Sequence, residues 1–176
     1  MNLRLMRQWT LAQWTLRGAV VAGVMVGLLA TGLSGAWPPS WLVVLVLGLA
    51  VGFALLPEAP IGTTVTVLVI AWWGLAFRGG PYPEALLGAA GLLTAHLAAL
   101  VAGYGPGDLP VELATVRRWA VRGALVFTAA PTVYVVAILL RGQPEPPGIW
   151  VAGLAAALAT TLAAAFVLVR GGQDAG

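Results

Sequence analysis

No charged side chain stands between Arg17 and Glu58, and similar charge-free runs recur along the chain. Of its 176 residues, 60% are hydrophobic and 9% are charged, whereas an ordinary soluble domain carries about 25% charged residues. So few charges cannot cover a water-facing surface. The apolar runs approach the roughly 20 residues that carry an α-helix across about 30 Å of hydrocarbon. Inside hydrocarbon each backbone amide and carbonyl needs a partner, and a helix supplies these within one segment. The chain is therefore expected to be all-α: a polytopic transmembrane helical bundle forming a single integral membrane domain over 1–176.

Prolines, tryptophans and arginines punctuate the apolar runs. About six spans are expected, over 18–36, 41–56, 61–77, 85–104, 123–140 and 148–169. They pair as three hairpins with proline-rich outer turns: Trp37-Pro-Pro-Ser-Trp41, Arg78-Gly-Gly-Pro-Tyr-Pro-Glu84 and Arg141-Gly-Gln-Pro-Glu-Pro-Pro147. Proline cannot continue a helix, and tryptophan suits the lipid–water boundary. Spans 41–56 and 61–77 are short, so a re-entrant pair is the alternative for them. Residues 1–17 place Leu5, Trp9, Ala12 and Leu16 on one side of a helix and Arg4 and Arg7 broadly opposite. They read either as an interfacial helix or as an extension of the first span. Residues 105–118 read as a cytoplasmic loop and 170–176 as a frayed tail. Ser34 and Ala36 sit at leader-cleavage-like positions, but the long basic segment and the following Trp37-Pro38 favour a retained first helix.

The positive charge is sorted by side. Nine arginines and no lysine stand against six acidic residues, for a net charge of +3. With six spans and an inside N-terminus, Arg4, Arg7, Arg17, Arg117, Arg118, Arg122 and Arg170 fall on the cytoplasmic side, leaving Arg78 and Arg141 outside. Excess arginine faces the cytoplasm in inner-membrane proteins. Both termini are thus expected in the cytoplasm of a cell whose plasma (inner) membrane holds the protein. The basic balance is explained by these anchors, and nucleic acid is not an expected partner.

Two entrances look alike. Trp14-Thr-Leu-Arg-Gly-Ala-Val-Val and Trp119-Ala-Val-Arg-Gly-Ala-Leu-Val share one pattern, each at a similar spacing from a later Pro-Pro. This reads as a parallel duplication of one hairpin, or as convergence on a common Trp and Arg anchor. The segment Tyr104-Gly-Pro-Gly-Asp-Leu-Pro-Val-Glu-Leu-Ala-Thr-Val-Arg-Arg-Trp119, with the general span layout, resembles small uncharacterised bacterial multi-pass membrane proteins. Those are encoded beside a MoxR-type AAA ATPase and its von Willebrand-like partner. The resemblance implies an accessory role in an envelope-associated assembly and carries no catalytic motif.

Few residues offer chemistry. His96, the sole histidine, is placed near the bilayer midplane, where an ionisable group is costly and a functional candidate by default. With Thr132, Tyr134 and Thr160 it forms a candidate intramembrane polar layer; the alternative is a neutral histidine bonded to a neighbouring helix. Pro131 is a hinge candidate, or a static kink satisfied by Thr128 or Thr132. Arg117, Arg118 and Arg122 are candidates for lipid or partner contact. Gly23 and Gly27, and then Gly48 and Gly52, form small-xxx-small stripes for helix packing, and Gly88, Gly91, Ala95, Ala98 and Ala102 give span four a small face.

No Walker loop, no His-Glu-x-x-His and no supportable Ser–His–Asp set is present, and zero cysteines exclude thiol chemistry. No catalytic, metal-binding or cofactor-binding residue is assigned and no cofactor is expected. The expected function is that of a non-enzymatic accessory or structural protein in a cell-envelope membrane assembly, contacting the bilayer and packing with other membrane proteins or with itself. The alternative is a small transporter or channel around His96.

Overall fold

The computed structural model describes residues 10–77, 81–103 and 113–142, together with residues 148, 151, 155, 158 and 159. Span 148–169 with Thr160, the tail 170–176 and residues 1–9 fall largely or wholly outside this description. All the regular structure among the described residues is helical. In chain order it comprises α1 (Leu11–Leu33), α2 (Ser40–Leu55), α3 (Ile61–Ala76), α4 (Glu84–Gly103), α5 (Leu113–Phe127) and α6 (Ala129–Leu139). Two units are distinguished, Met1–Arg141 and Gly142–Gly176. In the second, Val151, Ala155, Leu158 and Ala159 are helical and exposed.

Three helices are long and apolar enough to cross a membrane: α1, α4 and the run Leu113–Leu139 that joins α5 to α6. Helices α2 and α3 have 16 residues each, or about 24 Å at 1.5 Å per residue. That is short of about 30 Å of hydrocarbon. Helix α1 runs unbroken from Leu11, so residues 11–17 are its first two turns. Thr10 begins it, its hydroxyl accepting from the Gln13 amide at 3.4 Å. At the other end Gly35 adopts φ +87°, the Gly35 amide donates to Gly32 O at 3.0 Å and the Ala36 amide donates to Thr31 O at 3.1 Å. This is the paired closure that glycine beyond a helix end permits. A side chain at Gly32 would collide with the Trp37 ring, which folds the 34–39 turn back on the helix.

The core of the first unit is the seam between α1 and α4, with α2 and α3 packed on α1. At Gly23 a Cβ would lie 2.5 Å from the carbonyl oxygen of Gly91 and 2.9 Å from the amide nitrogen of Ala95. At Gly91 it would lie 2.6 Å from Gly23 O and 3.0 Å from Gly27 N. Backbone therefore rests on backbone, which suits helices that associate through van der Waals contact and not through expulsion of water. Around this seam Val20, Val24, Leu28, Val46, Val65 and Val69 are essentially inaccessible.

The second stripe behaves differently. At Gly48 a Cβ would meet nothing within 4 Å, and at Gly52 it would meet Ile61 at an ordinary 3.5 Å. The close approach expected at Gly48 and Gly52 is thus not made within the described chain: the Gly48 side of α2 faces outward, beside exposed Val44, Leu45 and Val51. The loop expected over 105–118 also ends sooner, since helix α5 has begun by Leu113. Nearly three turns of polar-faced helix therefore precede the apolar run expected from residue 123.

Candidate functional site

Three features stand out: the pins that hold α2 and α3 to α1, the cleft beside His96, and the arginine-bearing face of α5.

Arg17 leaves α1 and donates from Nη1 to the carbonyls of Ala54 and Leu55, the latter at 3.2 Å. These are the last turn of α2, where four carbonyls lack a partner inside the helix and the helix dipole is negative. A guanidinium answers both needs. Two indoles make the other pins: Trp72 Nε1 donates to Thr31 Oγ1 at 3.2 Å, and Trp73 Nε1 donates to Gly27 O at 2.8 Å. The Thr31 hydroxyl in turn donates to Leu28 O at 2.8 Å. Trp73 continues into a chain of rings, with Phe77 at 5.1 Å and Tyr82 at 4.5 Å from Phe77. The tandem Trp72-Trp73 and the buried Gln13 were not singled out in the sequence. Polar aromatic side chains inside an apolar run, and not at its ends, were the available signal.

His96 faces the turn that joins α2 to α3. It is exposed, and it lines a cleft of about 330 Å³ with Pro57, Glu58, Pro60 and Thr63. The other candidates are not brought to it. The Thr132 hydroxyl donates to Thr128 O at 2.9 Å, one turn back along its own run. Tyr134 lines a separate cavity of about 560 Å³ with Tyr82, Leu86 and Phe127. Thr160 is outside the described residues. No group of His, Cys, Asp or Glu able to hold a metal occurs among the described residues.

Pro131 lies just beyond an interruption at Thr128. Lacking an N–H, it leaves the Phe127 carbonyl without its i+4 donor. Thr128 keeps right-handed helical angles, φ −59° and ψ −23°, and its hydroxyl donates to Leu125 O at 2.6 Å. The path from α5 into α6 is thus helical throughout with a gap in the hydrogen bonding, the form a proline kink takes.

On α5, Arg117, Arg118 and Arg122 are all exposed, and the Arg122 guanidinium stands 5.5 Å from the centre of the Trp119 ring. No carboxylate occurs in sequence between Glu112 and Glu145. The face of α5 turned toward α4 lines a groove of about 410 Å³ through Val116, Trp119, Ala120, Gly123, Ala124 and Phe127, with Leu16 and Ala19 of α1 at its side. The two look-alike entrances therefore do different work. Arg17 caps a neighbouring helix while Arg122 stacks on its own tryptophan. Gly18 meets nothing within 4 Å, while Gly123 receives the Leu97 side chain.

Compared with known proteins, the chain matches no family model, no curated protein and no solved structure.

Proposed function

We propose that this chain is a multi-pass protein of the plasma membrane that works without catalysis, by packing beside other membrane proteins in an envelope assembly. In this reading it makes six crossings with both termini in the cytoplasm, α2 and α3 forming the shortest hairpin. The observation that carries the proposal is Gly48. The small-residue seam at Gly23 and Gly91 is filled within the chain, but on α2 Gly48 meets nothing and lies among exposed Val44, Leu45 and Val51. A glycine lowers helix stability by roughly 0.5–1 kcal/mol relative to alanine, so an unfilled one on an apolar outer face is suited to close approach by another helix. The resemblance of residues 104–119 to accessory proteins encoded beside a MoxR-type ATPase points the same way.

A photoreactive residue at Val44 or Leu45, in cells, tests this. The expected product is a discrete adduct with a membrane protein or with a second copy. Adducts with lipid alone, at yields equal to those from Val67 on the exposed side of α3, would remove the support. A second reading, transport around His96, is favoured by the open cleft that His96 shares with Glu58 and Thr63. It predicts solute or proton flux in liposomes that is lost in His96→Ala.

A further inference from the structure

We propose that the groove between α1, α4 and α5 holds one acyl chain of an anionic phospholipid, with the lipid phosphate bound between Arg117 and Arg122. The groove encloses about 410 Å³, within the roughly 300–1,000 Å³ of small-molecule sites, and its lining is almost wholly apolar. Along α5 it extends from Val116 to Phe127, about 16 Å at 1.5 Å per residue. That is about half of a 30 Å hydrocarbon layer, the depth of a single leaflet. Exposed Ala120 and Ala124 keep the floor low beside Leu97, whose side chain fills the space at Gly123, so a methylene chain can lie against the helix.

Arg117 lies at one end of this groove, and Arg122, about 8 Å further along α5, has its guanidinium over Trp119. Val116, Trp119, Ala120 and Gly123 share one face of α5, as residues three and four apart do. Arg117 follows Val116 around one side of that face. Arg122 stands over Trp119, which lines the other side. Guanidinium groups bind phosphate oxygens in a forked geometry, and an indole at headgroup depth fits the same boundary. With no carboxylate between Glu112 and Glu145, the arginines are not neutralised from their own element. A groove one leaflet deep, with Arg117 at its mouth and the Arg122 guanidinium over Trp119 beside it, fits a phospholipid better than it fits a helix, which would cross both leaflets. The lipid belongs to the inner leaflet in the orientation proposed above. Labelling of the turns tests that orientation separately, so failure of one is distinguishable from failure of the other.

The test is native mass spectrometry of the full-length protein, delipidated in mild detergent and titrated with phosphatidylglycerol or phosphatidylcholine of equal chain length. One phosphatidylglycerol is expected to be retained in preference to phosphatidylcholine, with the preference shrinking as salt rises. Arg117→Gln and Arg122→Gln should each weaken phosphatidylglycerol binding about fivefold, from about 1 kcal/mol per basic residue near an anionic lipid surface. Arg118→Gln, on the far face, should do less. Ala124→Trp, which fills the groove, should weaken binding of both lipids. Equal retention of the two lipids by wild type overturns the proposal without any variant. So does undiminished binding by Ala124→Trp, or a wild-type dimer that Ala124→Trp converts to a monomer, since the occupant would then be protein.

Discussion

Gly23→Ala and Gly48→Ala make the same chemical change in two opposite surroundings. Each adds one methyl and each gains the roughly 0.5–1 kcal/mol that separates alanine from glycine within a helix. That gain is common to both, so the difference between the variants isolates the packing. At Gly23 the new Cβ would sit 2.5 Å from Gly91 O, 2.9 Å from Ala95 N and 3.0 Å from Ala95 Cβ. Two of the three obstacles are backbone, which cannot swing aside as the end of a flexible side chain can. Relief requires α1 and α4 to part by most of an ångström along a seam where Val20, Val24 and Leu28 are essentially inaccessible. Overpacking of this kind costs typically about 1–3 kcal/mol. At Gly48 nothing lies within 4 Å and no such cost arises. Titration of the purified protein with dodecyl sulfate in mixed micelles, followed by tryptophan fluorescence and circular dichroism, measures both. Gly23→Ala is expected to unfold at lower dodecyl sulfate fraction than Gly48→Ala, by about 1–3 kcal/mol. Equal stability of the two, or the reverse order, would refute the claim that the α1–α4 seam is the core of the first unit.

Two further substitutions test the pins. Arg17→Gln removes a cation from the carbonyls that end α2 and should destabilise the protein by about 1–2 kcal/mol, with Arg17→Lys recovering part of the loss. Trp73→Phe keeps a ring beside Phe77 but removes the donor to Gly27 O; a loss of about 0.6 kcal/mol, the mean for hydrogen bonds between membrane helices, is expected in the same titration. A loss beyond about 2 kcal/mol would mean that the indole acts mainly through packing.

What the sequence made legible followed from patterns confined to one helix. The apolar runs, the proline-rich turn at 37–41 and the small stripe at Gly23 and Gly27 required only periodicity and composition. The small face of α4 at Gly88 and Gly91 was likewise visible, although which helix it would meet was not. Pairing is a property of two segments, and the sequence holds three similar small-residue stripes with nothing local to match them. The same limit explains His96. Counting along its own helix says nothing of its neighbours, which belong to the 57–60 turn between α2 and α3. The Arg17 contacts were equally invisible, because the carbonyls of Ala54 and Leu55 carry no signature in residue type. The two Trp-x-x-Arg-Gly entrances mark the boundary most plainly: near-identical octets place one arginine on a neighbouring helix and the other on its own tryptophan.

The central claim is that the chain crosses a membrane repeatedly, with its arginine-rich ends together in the cytoplasm. Because the natural sequence contains no cysteine, single cysteines report sidedness without background. Intact cells would be treated with a membrane-impermeant maleimide, with Ser40→Cys in the outer turn, Ala59→Cys in the inner turn and a cysteine appended to each terminus. The account predicts that only the Ser40→Cys protein is labelled before the cells are opened, and that all four are labelled afterwards. Labelling of one terminus but not the other in intact cells, or of Ser40→Cys and Ala59→Cys alike, would contradict it.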